Sequence, residues 1–352
     1  SSGVGPAPTA TTFLGDLGND IGGVAMATGN SILNFGGGAA TSPSAGIRAN
    51  NQWSVNIQYN TVNNNNGAGV NHATTFRGIY AQAGTSGNAT ISNNIVTIQS
   101  GATTSTISAI ENAIGSTAAS NTVDINSNII RVAYATATTG NLNAILNSST
   151  ATTVNINSNN IQGVPSTSLA GTGNMIMISA GSSGGTLNTN LNTISNVTRS
   201  SATTGNFRGI QAGTPPVVWN CLTNTIDGLS YTNVTSTGSM EAIYNLSSAL
   251  VQNINGNIIR NLSTPSTGII TGIRLNTLTG THQCNNNQIY NFSTTAGGVG
   301  GASFLGINSS NGVFTCSGNL IYSLNSTGST GGSAGTITGI QITGTTQTLS
   351  NN

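Results

Sequence analysis

Short segments of this chain alternate apolar and polar residues. Examples are Val55-Asn56-Ile57, Val123-Asp124-Ile125 and Val154-Asn155-Ile156, in which one polar residue separates two β-branched residues. A period of two residues places the apolar side chains on one face of an extended strand. The pattern therefore predicts short β-strands that bury one face and expose polar side chains on the other.

An asparagine that stands two residues before an isoleucine or valine recurs along the whole chain. The gaps between successive members are 30–35 residues, which gives a period near 32. The members are Asn30, Asn60, Asn93, Asn128, Asn159, Asn192, Asn224, Asn257, Asn287 and Asn319, and Asn352 follows 33 residues after the last of them. A fixed period of this length indicates one structural unit repeated about ten times.

A second column of residues keeps the same period. Each of its isoleucines lies 16–21 residues after an asparagine of the first column, and six of the ten follow a glycine. They are Ile47, Ile79, Ile110, Ile145, Ile176, Ile210, Ile243, Ile273, Ile307 and Ile340. Each repeat therefore contains a Gly-Ile strand, a strand before the asparagine, and an apolar segment after it.

Three short strands and three bends per repeat predict one coil of a parallel β-helix. The fold class is all-β: a single-stranded parallel β-helix, or solenoid, of about ten coils of ~32 residues each. A solenoid of helical hairpins is excluded because the apolar pattern has period two and β-branched residues dominate it. We expect the solenoid to cover residues 25–352. Residues 1–24 lie outside the pattern and could form a cap or a contact between subunits.

The recurring asparagine suits a corner of such a coil. Asparagine tolerates the left-handed backbone conformation that a tight bend needs, and we expect this conformation at the repeated position. Its amide can also donate to and accept from the same amide in the next coil. The column therefore predicts an asparagine ladder along one corner of the solenoid.

Composition narrows the functional classes. Charged residues make up 4% of the chain, the net charge is +1 and lysine is absent. Nucleic-acid binding needs clustered cations, so we expect no nucleic-acid partner. No apolar stretch is long enough to span a membrane. A chain rich in Ser, Thr, Asn and Gly and without lysine fits an extracellular bacterial protein.

The cysteines and histidines are expected to be structural. Cys221, Cys284 and Cys316 each stand three residues before an asparagine of the ladder, in a column that isoleucine fills elsewhere, so we predict buried free thiols. A disulfide between Cys284 and Cys316 is the alternative. His72 and His282 are about seven coils apart, and the pattern places His282 inside, near Gln252. We expect no metal site and no cofactor.

Several charged residues of opposite sign occupy the same column of the repeat in neighbouring coils. Arg208 and Glu241 occupy equivalent positions in neighbouring coils, as do Asp227 and Arg260. Each pair is expected to form an ion pair between coils. Tyr290 and Tyr322 continue the column of Arg260, which predicts an outward stripe with a cation–π contact and a ring stack. The stripe could contact a glycan, although we favour a purely stabilising role.

The order of Gly-Ile strand, asparagine-containing strand and Asn-x-Ile turn resembles right-handed parallel β-helix repeat proteins of bacterial surfaces. The resemblance covers essentially residues 25–352 and implies a right-handed coil. Polysaccharide lyases, phage tailspikes, autotransporter passengers and long adhesins share this architecture, so the resemblance identifies fold better than function.

The function expected from these features is structural. Six acidic residues offer little for glycoside hydrolysis or lyase chemistry, so we expect no enzyme. Residues 348–352 read like residues 90–94, which predicts a further coil after Asn352, from a longer chain or from another subunit. We expect a segment or subunit of an extracellular fibre or adhesin that associates end to end or laterally. The alternative is a carbohydrate-binding or polysaccharide-cleaving β-helix.

Overall fold

A computed structural model describes the fold of residues 16–352. Outside the described residues lie 1–15, 38–41, 67–71, 83, 85–86, 102–103, 117–119, 136–138, 166, 182–184, 246–248, 266, 277–278, 295–300, 311, 327–334 and 345. A short 3-10 helix, Met26–Thr28, is the one helix among the described residues, and no helix there is long and apolar enough to cross a membrane.

The strands form three parallel sheets that run the length of the molecule. The first sheet contains β1 (Asp16–Gly22), β4 (Gln52–Gln58), β7 (Asn88–Ser92), β10 (Thr122–Asn126), β13 (Thr153–Asn155), β16 (Thr186–Asn188), β19 (Val218–Leu222), β22 (Val251–Asn255), β26 (Thr281–Asn285), β29 (Val313–Ser317) and β32 (Thr346–Ser350).

The second sheet follows the first at each turn. It contains β2 (Ser31–Leu33), β5 (Thr61–Asn63), β8 (Ile95–Ser100), β11 (Ile129–Tyr134), β14 (Asn160–Gly163), β17 (Thr193–Arg199), β20 (Thr225–Tyr231), β23 (Ile258–Arg260), β24 (Ser263–Thr264), β27 (Gln288–Thr294) and β30 (Leu320–Asn325).

The third sheet carries the Gly-Ile segments. It contains β3 (Ser44–Asn50), β6 (Phe76–Gln82), β9 (Ile107–Asn112), β12 (Leu142–Asn147), β15 (Met175–Ala180), β18 (Phe207–Ala212), β21 (Met240–Asn245), β25 (Ile269–Asn276), β28 (Ser303–Ser310) and β31 (Ile337–Thr343).

Each strand pairs in register with its equivalent in the next turn. Ile79 lies opposite Ile110, for example, and Cys284 lies opposite Cys316. The predicted parallel β-solenoid is confirmed, with about nine turns of ~33 residues in place of about ten coils of ~32. It begins earlier than residue 25, because β1 already pairs with β4.

The core is a set of apolar columns enclosed by the three sheets. Val62, Val96, Ile130, Ile161 and Ile194 stack in the second sheet and are completely buried. The repeating side chains make the same contact in turn after turn, so a single sequence period specifies the whole core.

The left-handed backbone position lies one residue before the ladder asparagine, not at it. Tyr59, Leu191 and Thr223 have φ values of 58°, 58° and 55° and directly precede Asn60, Asn192 and Asn224. Our assignment of the left-handed conformation to the ladder asparagine was therefore wrong. The asparagine is selected by its side-chain hydrogen bonds, and the residue before it adopts the conformation that turns the chain.

Candidate functional site

The most regular polar feature is the asparagine ladder between the first and second sheets. In the repeating arrangement, Nδ2 of Asn128 donates to Oδ1 of Asn159 at 3.0 Å and to the carbonyl of Ile91, in the preceding turn, at 2.8 Å. The backbone N–H of Asn128 donates to the same Oδ1 at 3.0 Å. Each internal amide thus uses both donors and receives two hydrogen bonds, so burial leaves no polar atom of the side chain unsatisfied.

One member of the predicted ladder was wrong. Asn94, not Asn93, accepts from Asn60 and donates to Asn128. Both residues satisfy the sequence rule, because Ile95 follows Asn93 by two positions and Val96 follows Asn94. The structure decides between them through burial: Val96 points into the core, whereas Ile95 is partly exposed and Asn93 takes the left-handed position before the ladder.

The corrected ladder is continuous and has one direction. It comprises Asn30, Asn60, Asn94, Asn128, Asn159, Asn192, Asn224, Asn257, Asn287, Asn319 and Asn352. From Asn30 to Asn319, each Nδ2 donates to the next member toward the C-terminal end. The nine internal members are buried, whereas Asn30 and Asn352 are exposed.

Three further amide ladders lie on the surface and run in the opposite direction. In the first sheet, Asn155 donates to Asp124 at 2.8 Å, and Asn188, Asn220 and Asn253 each donate to the preceding member at 2.7–2.8 Å. The chain of donors ends at Asp124, whose carboxylate can only accept.

The other two surface ladders end in the same way. Asn56 donates to Asp20 at 2.7 Å. Asn291 donates to Asn261 at 2.5 Å, and Asn261 donates to Asp227 at 2.6 Å. Sequence analysis missed these ladders, although Asp124 and Asn155 occupy the same column of the predicted coil.

The predicted pair of Arg208 and Glu241 belongs to a larger cluster on the outer face of the third sheet. Nε of Arg208 lies 3.0 Å from Glu241, and Nη1 of Arg274 lies 3.1 Å from the other carboxylate oxygen. Tyr244 lies against both guanidinium groups, 3.9 Å from Arg208 and 5.5 Å from Arg274 between Cζ and the ring centroid. Glu241 is 1% exposed, so the two arginines supply the charge that its burial requires.

A second cluster of similar composition lies near the N-terminal end of the same sheet. Nε and Nη2 of Arg77 donate to Glu111 at 2.7 and 3.0 Å, and the guanidinium lies 4.0 Å from the ring centroid of Tyr80. The Gln82 amide, oriented with its oxygen toward Arg48, accepts from Nε and Nη2 of that residue at 3.1 and 2.6 Å. Sequence analysis missed this cluster because Arg77 and Glu111 stand in different columns.

The stripe on the second sheet contains the second predicted ion pair. Nη2 of Arg260 lies 2.8 Å from Asp227, and the rings of Tyr290 and Tyr322 stack at 4.8 Å with 6° between their planes. The predicted cation–π contact was wrong: Arg260 donates through Nη1 to the Tyr290 hydroxyl at 3.1 Å. The cation–π contacts of the described residues involve other arginines.

Arg199 is a buried cation that sequence analysis did not identify. Its Nη1 donates to the carbonyls of Gly205 and Asn206 at 2.9 and 3.1 Å, and its Nη2 donates to the carbonyl of Gly171 at 3.1 Å. Burial lowers the pKa of Arg199, and burial raises the pKa of its neighbour Tyr231 to about 12. The guanidinium thereby holds two bends of successive turns together.

The three cysteines are buried and free, as predicted, so the alternative disulfide is not formed. Each sulfur accepts from the ladder asparagine three residues later, for example Asn224 to Cys221 at 3.3 Å. Burial raises the pKa of Cys221 to about 12. Burial also raises the pKa of Cys284, so the Cys221 and Cys284 thiols stay protonated at neutral pH. The hydrogen bond with Cys284 lowers the pKa of Cys316.

The histidines lie far apart and have different surroundings. Nδ1 of His72 accepts from the backbone N–H of Gly37 at 3.3 Å, and its ring lies 5.3 Å from that of Phe76. His282 is fully buried opposite Gln252, and burial lowers its pKa. Among the described residues, no three His, Cys, Asp or Glu side chains lie close enough together to hold a metal ion.

Comparison with known proteins identifies no family. The chain matches no family model, and no curated protein or solved structure gives a significant match. The class that the geometry itself defines is a parallel β-solenoid of three sheets with a buried asparagine ladder.

Proposed function

We propose that this chain is a non-catalytic segment or subunit of an extracellular bacterial fibre or surface adhesin. The observation that carries the proposal is the buried ladder, which continues without a break from Asn30 to Asn352. Its saturated amides add a fourth chain of hydrogen bonds along the axis to those of the three parallel sheets. Such a structure resists bending and axial extension, which are the demands on a fibre.

The surface supports the same proposal. The 352-residue chain contains only six acidic and seven basic residues. Two of the carboxylates, those of Glu111 and Glu241, belong to ion-paired clusters on the third sheet. A surface of amides and hydroxyls changes little with ionic strength, because screening acts on charges. We infer a right-handed coil, since parallel strands joined by crossovers have that hand in ~98% of known cases.

The direction of the ladder supports either end-to-end association or continuation of the ladder in a longer chain. Asn352 already donates one Nδ2 hydrogen to the carbonyl of Cys316 at 3.0 Å, and Asn30 is exposed at the opposite end. If a further turn stacked on this end in the same geometry, Oδ1 of its asparagine would accept a hydrogen bond from Nδ2 of Asn352. Oδ1 of Asn352 accepts from Nδ2 of Asn319 in the same way. A head-to-tail contact therefore pairs donors with acceptors, whereas contact between two C-terminal ends would oppose donors.

Electron microscopy of the native material tests the proposal. We expect continuous or laterally bundled rods of right-handed coil on the cell surface or in the secreted fraction. A native population consisting uniformly of single short rods would contradict it. Purified protein should show rods that lengthen with concentration, and mixing two fluorescently labelled pools should give head-to-tail energy transfer.

A second candidate function is carbohydrate binding by the stripe on the second sheet. The Tyr322 side chain is 43% exposed and stacks on Tyr290, and the side chain of Arg260 is 40% exposed beside the ring pair. Exposed aromatic faces beside a hydrogen-bonding cation suit sugar rings.

The stripe is tested with a glycan array and the Tyr290→Ala variant. Affinity for a polysaccharide that is lost in this variant and kept in Tyr59→Ala would support binding, because Tyr59 lies in a different column. An array on which the unmodified protein binds no glycan would leave the stripe with a purely stabilising role.

A further inference from the structure

A groove on the outer face of the third sheet lies between the first two turns. Its volume is about 430 Å³, and its walls include Ser42, Ser44, Arg48, Arg77 and Tyr80. This size suits one or two sugar rings, since small-molecule sites occupy about 300–1,000 Å³. Strands β3 and β6 form its floor, so regular structure fixes the backbone of every wall residue after Pro43.

The groove has more cationic than anionic groups. Arg77 forms a two-point pair with Glu111 through Nε and Nη2, which leaves Nη1 outside the ion pair. Arg48 is exposed and bonds to the neutral amide of Gln82. Two guanidinium groups are thus balanced by one carboxylate, which leaves a positive charge at a concave surface.

The central cluster pairs the same types of side chain in a different way. There, Glu241 binds Arg208 and Arg274 through both oxygens, and Arg208 is only 9% exposed. In the N-terminal cluster, Glu111 receives both bonds from one arginine. The second arginine, Arg48, is left to face the groove.

We propose that this groove binds a saccharide that carries a carboxylate, of the hexuronic acid class. The carboxylate would accept from Arg48 and from Nη1 of Arg77, since guanidinium groups match planar carboxylates. Tyr80 would pack against the sugar ring, and the hydroxyls of Ser42 and Ser44 would bond to those of the sugar. The site lies on a different sheet from the Arg260 stripe and does not depend on fibre formation.

Calorimetric titration of the full chain with a trimer of galacturonic acid tests the proposal. We expect binding that weakens ~10-fold in Arg48→Gln, the loss of one charge-assisted hydrogen bond. Tyr80→Ala should weaken it as well. Arg131→Gln is the matched control, since Arg131 lies on the second sheet, and it should leave the affinity unchanged. Arg48 is exposed, so its substitution should preserve the fold, which circular dichroism checks.

Two further ligands test whether the groove recognises the carboxylate of the saccharide. The neutral galactose trimer should bind at least ~10-fold more weakly than the uronate trimer, because it lacks the carboxylate. A sulfated galactose trimer should bind more weakly than the uronate. Four results would each overturn the proposal. The neutral trimer could bind as tightly as the uronate, or the sulfated trimer more tightly; Arg131→Gln could weaken binding as much as Arg48→Gln; or the uronate could give no heat of binding.

Discussion

The buried and surface ladders use the same side chain for different purposes. In the buried ladder the amides donate toward the C-terminal end, and each fills all its hydrogen-bonding positions. In the surface ladders the amides donate toward the N-terminal end and stop at an aspartate. Solvent reaches the surface amides, so water can replace a missing partner there, whereas no such replacement exists inside.

The difference teaches how one residue type can be indispensable in one column and replaceable in another. The energetic cost of a broken ladder depends on the donors and acceptors left without partners, and this cost is large only where water is excluded. The surface column tolerates Thr90 and Gln283 among its asparagines. The buried column contains only asparagine from residue 30 to residue 352.

The largest effect should come from Asn192→Ala in the middle of the buried ladder. The substitution leaves the backbone N–H of Asn159, one of its two Nδ2 hydrogens and the carbonyl of Ile156 without partners. At ~1–3 kcal/mol for each of these three buried groups, the free energy of unfolding should fall by about 3–9 kcal/mol. Urea denaturation measures the change. Asn188→Ala, in the surface ladder, is the matched control and should cost less than about 1 kcal/mol.

Arg199→Met should cost somewhat less, about 3 kcal/mol. Methionine fills the aliphatic part of the site but leaves the carbonyls of Gly171, Gly205 and Asn206 without the guanidinium. The melting temperatures of this variant and of Arg131→Met should be compared. The difference measures how much more a buried guanidinium contributes to stability than a partly exposed one. Equal melting temperatures for the two variants would contradict the structural role of Arg199.

His282 should make stability depend on pH. Burial lowers its pKa in the folded state, so the unfolded state binds the proton more readily. Stability from this group is complete above the unfolded pKa of ~6.5 and falls as the pH drops below it, by at most about 1.4 kcal/mol per pH unit. Between pH 7.5 and pH 5.5, the free energy of unfolding should fall more for the unmodified protein than for His282→Phe. This substitution introduces the residue that Phe314 provides at the equivalent position of the next turn.

The smallest effect should come from the carboxylate that ends a surface ladder. Asp124→Asn keeps an acceptor for Asn155 and should change the free energy of unfolding by less than about 0.5 kcal/mol. Asp124→Ala removes the acceptor and should cost up to about 1 kcal/mol, because water can bond to the Asn155 amide. Losses as large as those of Asn192→Ala would show that the surface ladders are as closed to water as the buried one.

Several contacts were predictable because a column of the sequence becomes a column of the structure. Arg208 and Glu241 share a column, as do Asp227 and Arg260, and both ion pairs are present. The diagonal contacts of Arg77 with Glu111 and of Arg274 with Glu241 join different columns. They depend on side-chain length and direction, which the repeat period does not contain.

The sequence by itself determined the parallel β-solenoid, its period and the inward positions of the cysteines. It could do so because every turn repeats the same burial pattern, and a strand can bury only one of its two faces against the core. The sequence also indicated an asparagine ladder, although it could not distinguish Asn93 from Asn94, since both fit the same local rule.

The tertiary structure alone decided the direction of each ladder, the burial of Arg199 and the excess of cationic groups at the Arg48 groove. Each of these depends on which donors meet which acceptors between turns about 32 residues apart. A hydrogen bond requires distance and direction as well as residue type. Those two quantities are set only when the turns stack.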